Sequence, residues 1–152
     1  MIENFKYVEF YVGNAKQASH YYRSIFGFEG YAYSGPETGN SDFVSYVLKQ
    51  NKIFFVFTTP LNTSQESSRI IEKHGDTVFD VAFSSSDLDK DLEKAIKNGA
   101  LLHTEIKELS DENGLLRFAS VKTYGDTIHS LVDASSYKGL WKPGYIHIIH
   151  IL

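Results

Sequence analysis

The apolar residues change their period at Asn14. Ahead of it, Val8-Glu9-Phe10-Tyr11-Val12 is a β-branched and aromatic run with one embedded acid, which suits a largely buried strand. Beyond it, Ala15, Ala18, Tyr22, Ile25 and Phe26 fall on one stripe of a 3.6-residue period. Asn14 is placed to cap that helix, with Gln17 three residues on, and Gly27 is placed to end it. The same unit recurs: an apolar strand over 77–83, a Ser84-Ser85-Ser86-Asp87 cap, a stripe of Leu88, Leu92, Ala95 and Ile96, and a stop at Gly99. Laying Asn14 on Asp87 puts Tyr7 on Asp80 and Phe10 on Phe83, so the pattern reads as an internal duplication.

Each copy continues in the same way. In the first, 28–33 reads as a strand, 34–42 as a loop rich in turn residues, and 43–48 and 53–57 as a hairpin around 50–52. A polar connector over 60–68 follows, with a helical turn at 68–73 before His74-Gly75-Asp76. In the second copy, strands over 101–108, 116–123 and 127–133 are separated by a turn at 110–114. The fold class is therefore α+β: two tandem βαβββ modules, over 4–60 and 74–135, forming a curved mixed sheet with outer helices. The concave face is the expected ligand cleft, within one domain over 1–145 followed by a tail at 146–152.

Composition narrows the partners. Among 152 residues, 15 basic against 19 acidic give a net charge of −4 with no basic stripe, which argues against nucleic acid. The absence of cysteine removes disulfides and thiol catalysis and fits a reducing compartment. No apolar run approaches a membrane span, and the first residues lack a signal-peptide pattern, so a soluble, cytoplasmic protein without membrane contact is expected. Ten Tyr and eleven Phe lie mostly in strand-like runs, where they would fill a sheet-on-helix core.

The polar candidates read as follows. His20 lies on the polar side of the first helix, and His74 belongs to a turn where it would bond backbone. His103 and His129 read as half-buried strand histidines with local partners. His147 and His150 stand in an Ile-rich, strand-like run, where residues three apart point to opposite faces and would not chelate together. Glu9 is either a buried acid with a raised pKa or a carboxylate bonded to a neighbouring strand, Arg23 or Lys52. The Ser84-Ser85-Ser86 run has no neighbouring histidine to make it a nucleophile.

The stretches Val8-Glu9-Phe10-Tyr11-Val12-Gly13-Asn14-Ala15, Tyr33 through Thr38-Gly39, His74-Gly75-Asp76, Thr123-Tyr124-Gly125-Asp126-Thr127-Ile128-His129-Ser130-Leu131-Val132 and Pro143-Gly144-Tyr145 together resemble the amino-terminal half of the 4-hydroxyphenylpyruvate dioxygenase family. That resemblance implies the vicinal-oxygen-chelate, glyoxalase-like fold. It also implies a parent enzyme that uses Fe(II) and O₂ to convert 4-hydroxyphenylpyruvate to homogentisate and CO₂ in tyrosine catabolism, and it leaves open a hydroxymandelate synthase-like enzyme.

In the family the iron sits on two histidines and a carboxylate of the carboxyl-terminal half. In the wider superfamily a module offers ligands from its first and last strands, and those positions here hold Tyr7, Asp80 and Ser130. The resemblance thus implies no metal or catalytic residue in this chain, no cofactor of its own, and leaves substrate-binding residues unassigned. It implies a carboxyl-terminal catalytic domain as partner and a homo-oligomeric parent. The run Ile149-His150-Ile151-Leu152 resembles the strand bearing the family's first iron ligand; alternatively it is an Ile-rich tail that pairs with a sheet edge. Two other readings stay open: a free-standing protein binding a small ligand, and a glyoxalase-type metalloenzyme whose site is completed across a dimer.

Overall fold

In the computed structural model, which describes residues 1–151, the chain folds as two units. Unit 1 comprises Met1–Tyr7 and Phe79–Pro143; unit 2 comprises Val8–Val78 and Gly144–Leu152, of which Leu152, the end of the Ile-rich tail, lies outside the described residues.

Unit 2 holds the first copy of the repeat. Strand β1 (Ile2–Tyr11) enters it at Val8 and is followed by α1 (Ala15–Phe26), β2 (Glu29–Ser34), β3 (Phe43–Gln50) and β4 (Ile53–Pro60). The strand order is β1-β4-β3-β2-β9, where β9 is Ile146–His147. The first and last strands of the copy pair in parallel, Val8 with Phe55 and Phe10 with Phe57. Asn14 Oδ1 accepts the Gln17 N–H at 3.0 Å, and Gly27 closes the helix in the left-handed region at φ 74°. Against α1 lie Phe10, Phe28, Leu48, Phe55 and Phe57, with Tyr22 reaching from the helix into their midst. This aromatic layer is the core that the Tyr and Phe count foretells.

Unit 1 repeats the plan with β5 (Thr77–Ser85), α3 (Leu88–Lys97), β6 (Leu102–Asp111), β7 (Gly114–Lys122) and β8 (Ile128–Asp133), in the order β6-β7-β8-β5-β1. Its first and last strands again pair in parallel, Asp80 with Ile128 and Phe83 with Leu131. Asp87 Oδ1 accepts the Lys90 N–H at 3.2 Å, the same cap as Asn14 makes. Leu88 of α3 is buried with Ala119 and Leu131, and the half-buried Phe83 and Leu92 pack against them. The duplication is thus matched at the caps, at the helices and in the strand register.

Four local readings need correction. The connector contains a full helix, α2 (Glu66–His74), where a single turn was expected over 68–73, and the 34–42 loop contains a short 3₁₀ helix, Pro36–Thr38. The predicted turn over 110–114 shrinks to Glu112-Asn113, because Asp111 pairs with Gly114 and its carboxylate accepts the Asn113 N–H at 2.7 Å. The Ile-rich tail is strand only at Ile146–His147, paired antiparallel with Ala32 and Tyr33 of β2; it then turns into a 3₁₀ helix, Ile148–His150. His147 caps that turn by accepting the Ile149 N–H at 3.2 Å, which ends the strand and cancels the alternation expected of His147 and His150.

Candidate functional site

In unit 1, on the sheet face opposite α3, the three positions singled out from the sequence come together. Asp80 is 3 % exposed, and both its oxygens are engaged: Oδ1 accepts the Ser130 N–H at 2.9 Å, and Oδ2 accepts the Ser130 hydroxyl at 2.5 Å and the Tyr7 hydroxyl at 3.2 Å. The parallel β5–β8 pairing sets Asp80 beside this part of β8, and the period-2 alternation turns Ser130 toward it while His129 turns away. Burial pushes the Asp80 carboxyl above the usual carboxylate range, against the opposing pull of the Ser130 bonds, the Lys142 charge and Tyr7.

The fourth member, Lys142, was not found from the sequence. Its Nζ donates to the Tyr7 hydroxyl at 3.2 Å and stands 4.6 Å from the centre of the Tyr7 ring. The neighbouring Trp141 is buried, its ring 5.6 Å from that of Tyr7, and Lys6 Nζ lies 5.6 Å from the indole centre. Burial, with help from the Lys142 charge, lowers the Lys6 ammonium pKa.

In unit 2 the face opposite α1 carries a hydroxyl chain. Thr58 Oγ1 lies 2.7 Å from Glu9 Oε2 and 3.0 Å from Ser45 Oγ, which accepts the Tyr145 hydroxyl at 3.0 Å. Of the alternatives open for Glu9, the bond to a neighbouring strand is present, through Thr58 of β4. Desolvation of the Tyr145 hydroxyl and the nearby Glu9 charge raise its pKa far above the usual tyrosine value. A separate cleft of about 350 Å³ opens where α1 begins, lined by Ala15, Lys16, Tyr33, Glu37, Val44 and Tyr46. The Tyr33 hydroxyl donates to Glu37 at 2.5 Å, which lowers the Glu37 carboxyl.

The histidines are dispersed. His103 Nδ1 is 2.9 Å from Ser120 Oγ, His129 Nδ1 is 2.7 Å from the Val81 carbonyl, and His20 is exposed and 3.3 Å from Ser24 on its own helix. In the His74-Gly75-Asp76 turn it is Asp76 whose carboxylate accepts the Gly13 N–H at 2.8 Å and so ties the turn to the start of α1. The rings of His147 and His150 are 6.4 Å apart.

Among the described residues no group of three His, Cys, Asp or Glu side chains is arranged to hold a metal ion. The donor chemistry agrees: Asp80 is surrounded by a phenol and a hydroxyl that donate to it, whereas Fe(II) chemistry requires two imidazoles and a carboxylate on one face with open positions. These residues do not fit a catalytic iron.

No family model matches the chain. Its backbone matches a triple mutant of 4-hydroxymandelate synthase from Streptomyces coelicolor with a TM-score of 0.81 and 31 % identity, over 88 % of this chain and 39 % of that one. It also matches methylmalonyl-CoA epimerase from Mycobacterium tuberculosis with a TM-score of 0.70 and 18 % identity, over 87 % and 88 % of the two chains, a likeness of fold alone. The chain is a vicinal-oxygen-chelate fold protein.

Within that fold its sequence kinship is with the 4-hydroxyphenylpyruvate dioxygenases. It is 46 % identical to the Xenopus tropicalis enzyme over 144 residues, which is 93 % of this chain and 36 % of that protein. To the Dictyostelium discoideum enzyme it is 41 % identical over 148 residues, 96 % of this chain and 40 % of that protein. The chain thus spans little more than a third of the length of these relatives. No helix among the described residues is long and apolar enough to cross a membrane.

Proposed function

We propose that this chain is the amino-terminal, metal-free domain of a 4-hydroxyphenylpyruvate dioxygenase, the domain that folds beside and docks to a carboxyl-terminal domain holding Fe(II). The observation that carries this reading is the match of 93 % of the chain to 36 % of a dioxygenase at 46 % identity. The iron supplies the site at which the 2-oxo acid chelates and O₂ is activated when it is bound. Nothing in the Tyr7, Asp80, Ser130 and Lys142 cluster is suited to hold it, so the chemistry belongs to the other domain. A cleft that only holds a substrate lowers no chemical barrier, so this chain alone is inactive.

A second reading, that the parent is hydroxymandelate synthase-like, is favoured by the 31 % identity to 4-hydroxymandelate synthase. A third, a free-standing small-ligand protein, is favoured by the Tyr-lined cleft at the start of α1. One experiment separates all three. The chain is supplied with Fe(II), ascorbate, O₂ and 4-hydroxyphenylpyruvate, alone and mixed with a separately expressed carboxyl-terminal dioxygenase domain. The expected result is CO₂ at the metal-only blank for the chain alone and homogentisate from the mixture. 4-Hydroxymandelate from the mixture would favour the second reading. Homogentisate formed by the chain alone would overturn the assignment, and failure of the two parts to associate or turn over would leave the third reading in its place.

A further inference from the structure

Asp80 presents one buried negative charge among oxygens: its own two, the Tyr7 phenol and the Ser130 hydroxyl, joined at 2.5–3.2 Å. Oxygen donors around a carboxylate are what hard cations seek, and a carboxylate sequestered from water without a counter-charge is costly. In this protein a counter-charge is supplied by the chain itself. Lys142 Nζ reaches the Tyr7 hydroxyl at 3.2 Å and sits over the Tyr7 ring at 4.6 Å, so one residue links the ammonium to the carboxylate.

The segment bearing Lys142 is anchored there rather than resting by chance. Trp141, 7 % exposed, packs on Tyr7 at 5.6 Å, and this apolar anchor fixes where the next residue begins. We propose that the Lys142 ammonium is the resident cation of the Tyr7–Asp80–Ser130 cluster, and that it closes the cluster to divalent metal ions. This goes beyond the assignment to a dioxygenase domain and does not depend on it, because it concerns how this unit balances its own charge.

Equilibrium denaturation of the full chain tests the first half. Lys142→Met removes the charge and keeps most of the stem, whereas Lys142→Arg keeps the charge. The expected result is a loss for Met that Arg largely restores. The Met loss should shrink at least about fivefold, in unfolding equilibrium constant, when Asp80→Asn is already present. Equal losses for Met and Arg, or effects of Lys142→Met and Asp80→Asn that simply add, would overturn the pairing. The second half is read by Mn²⁺ titration followed by electron paramagnetic resonance. A Ser130→Glu variant leaves Tyr7 in place and adds a carboxylate, and adding Lys142→Met to it should tighten Mn²⁺ binding at least about tenfold. Equal Mn²⁺ affinity with and without Lys142 would overturn the exclusion. If the Ser130→Glu variants do not fold, Lys142→Met in the natural background should gain Mn²⁺ binding that the natural chain lacks, and no gain would overturn the exclusion.

Discussion

Ser130 holds Asp80 twice, once through its backbone N–H at 2.9 Å and once through its hydroxyl at 2.5 Å. The paired bonds fix the carboxylate plane, and yet the group's pKa is raised, because withdrawal from water outweighs the donors. The titratable groups that act on it include Tyr7 and Lys142.

A pH dependence follows from that balance. A carboxyl whose pKa is higher folded than unfolded binds more protons in the native state, so it favours folding most below the unfolded value near pH 4. Its contribution is lost as pH rises through the folded value. Asp80→Asn should remove this slope. The stability of the variant relative to the natural protein should therefore increase with pH above about 4, as read by urea denaturation at successive pH values. A difference that stays flat or falls would show that the Asp80 carboxyl is not raised.

The two helix caps offer a matched pair of substitutions. Asn14→Ala and Asp87→Ala each remove one side-chain acceptor from a third-position N–H, and each should cost about 1 kcal/mol of unfolding free energy. Losses within a few tenths of a kcal/mol for both would show that the caps act alone, without tertiary help.

Gly114 opens β7 at φ 122°, where an added Cβ would stand 2.1 Å from the Ser136 carbonyl oxygen. The obstacle is backbone, which a rotamer change cannot relieve. Gly114→Ala should therefore cost roughly 2 kcal/mol or more and shift the thermal midpoint down. A neutral Gly114→Ala would mean that the 134–137 segment yields.

Tyr137 is pushed up to about 12, first by burial and then by the Asp111 carboxylate that accepts its hydroxyl at 2.8 Å. Ultraviolet titration should show it still protonated at pH 11. In Asp111→Asn the hydroxyl should ionise at lower pH, because the neighbouring negative charge is gone.

Much of this architecture was legible in the residues. Asn14 and Asp87 announce their helices because capping chemistry is local, and aligning them sets Tyr7 against Asp80. Ser130 comes instead from the resemblance, which implies a ligand position on the last strand of a module, and the three residues do meet. Lys142 was not legible: it stands in an aperiodic stretch between Trp141 and Pro143, and its partner is the phenol of Tyr7 at the other end of the sequence. Helix α2 was under-read because Ser67 and Ser68 resemble connector residues, whereas Ile70 and Ile71 are only half-buried and leave a short apolar signal. The tail misled for the opposite reason, since Ile146, Ile148, Ile149 and Ile151 favour a strand that the His147 cap cuts short.

The interleaved makeup of the units has a consequence for synthesis on the ribosome. Residues 1–7 belong with 79–143, so once made this segment waits for partners that follow 71 intervening residues, 8–78. At about 5–20 residues per second that interval is roughly 4–14 s. For that time half of β1 is an unpaired strand, open to other nascent chains. A gene split in the connector between the repeats would make the wait permanent, leaving β5 as a bare edge. Separately expressed halves should therefore be recovered mainly as aggregates, and co-expression should rescue them by restoring the strand that the first half withholds from the second.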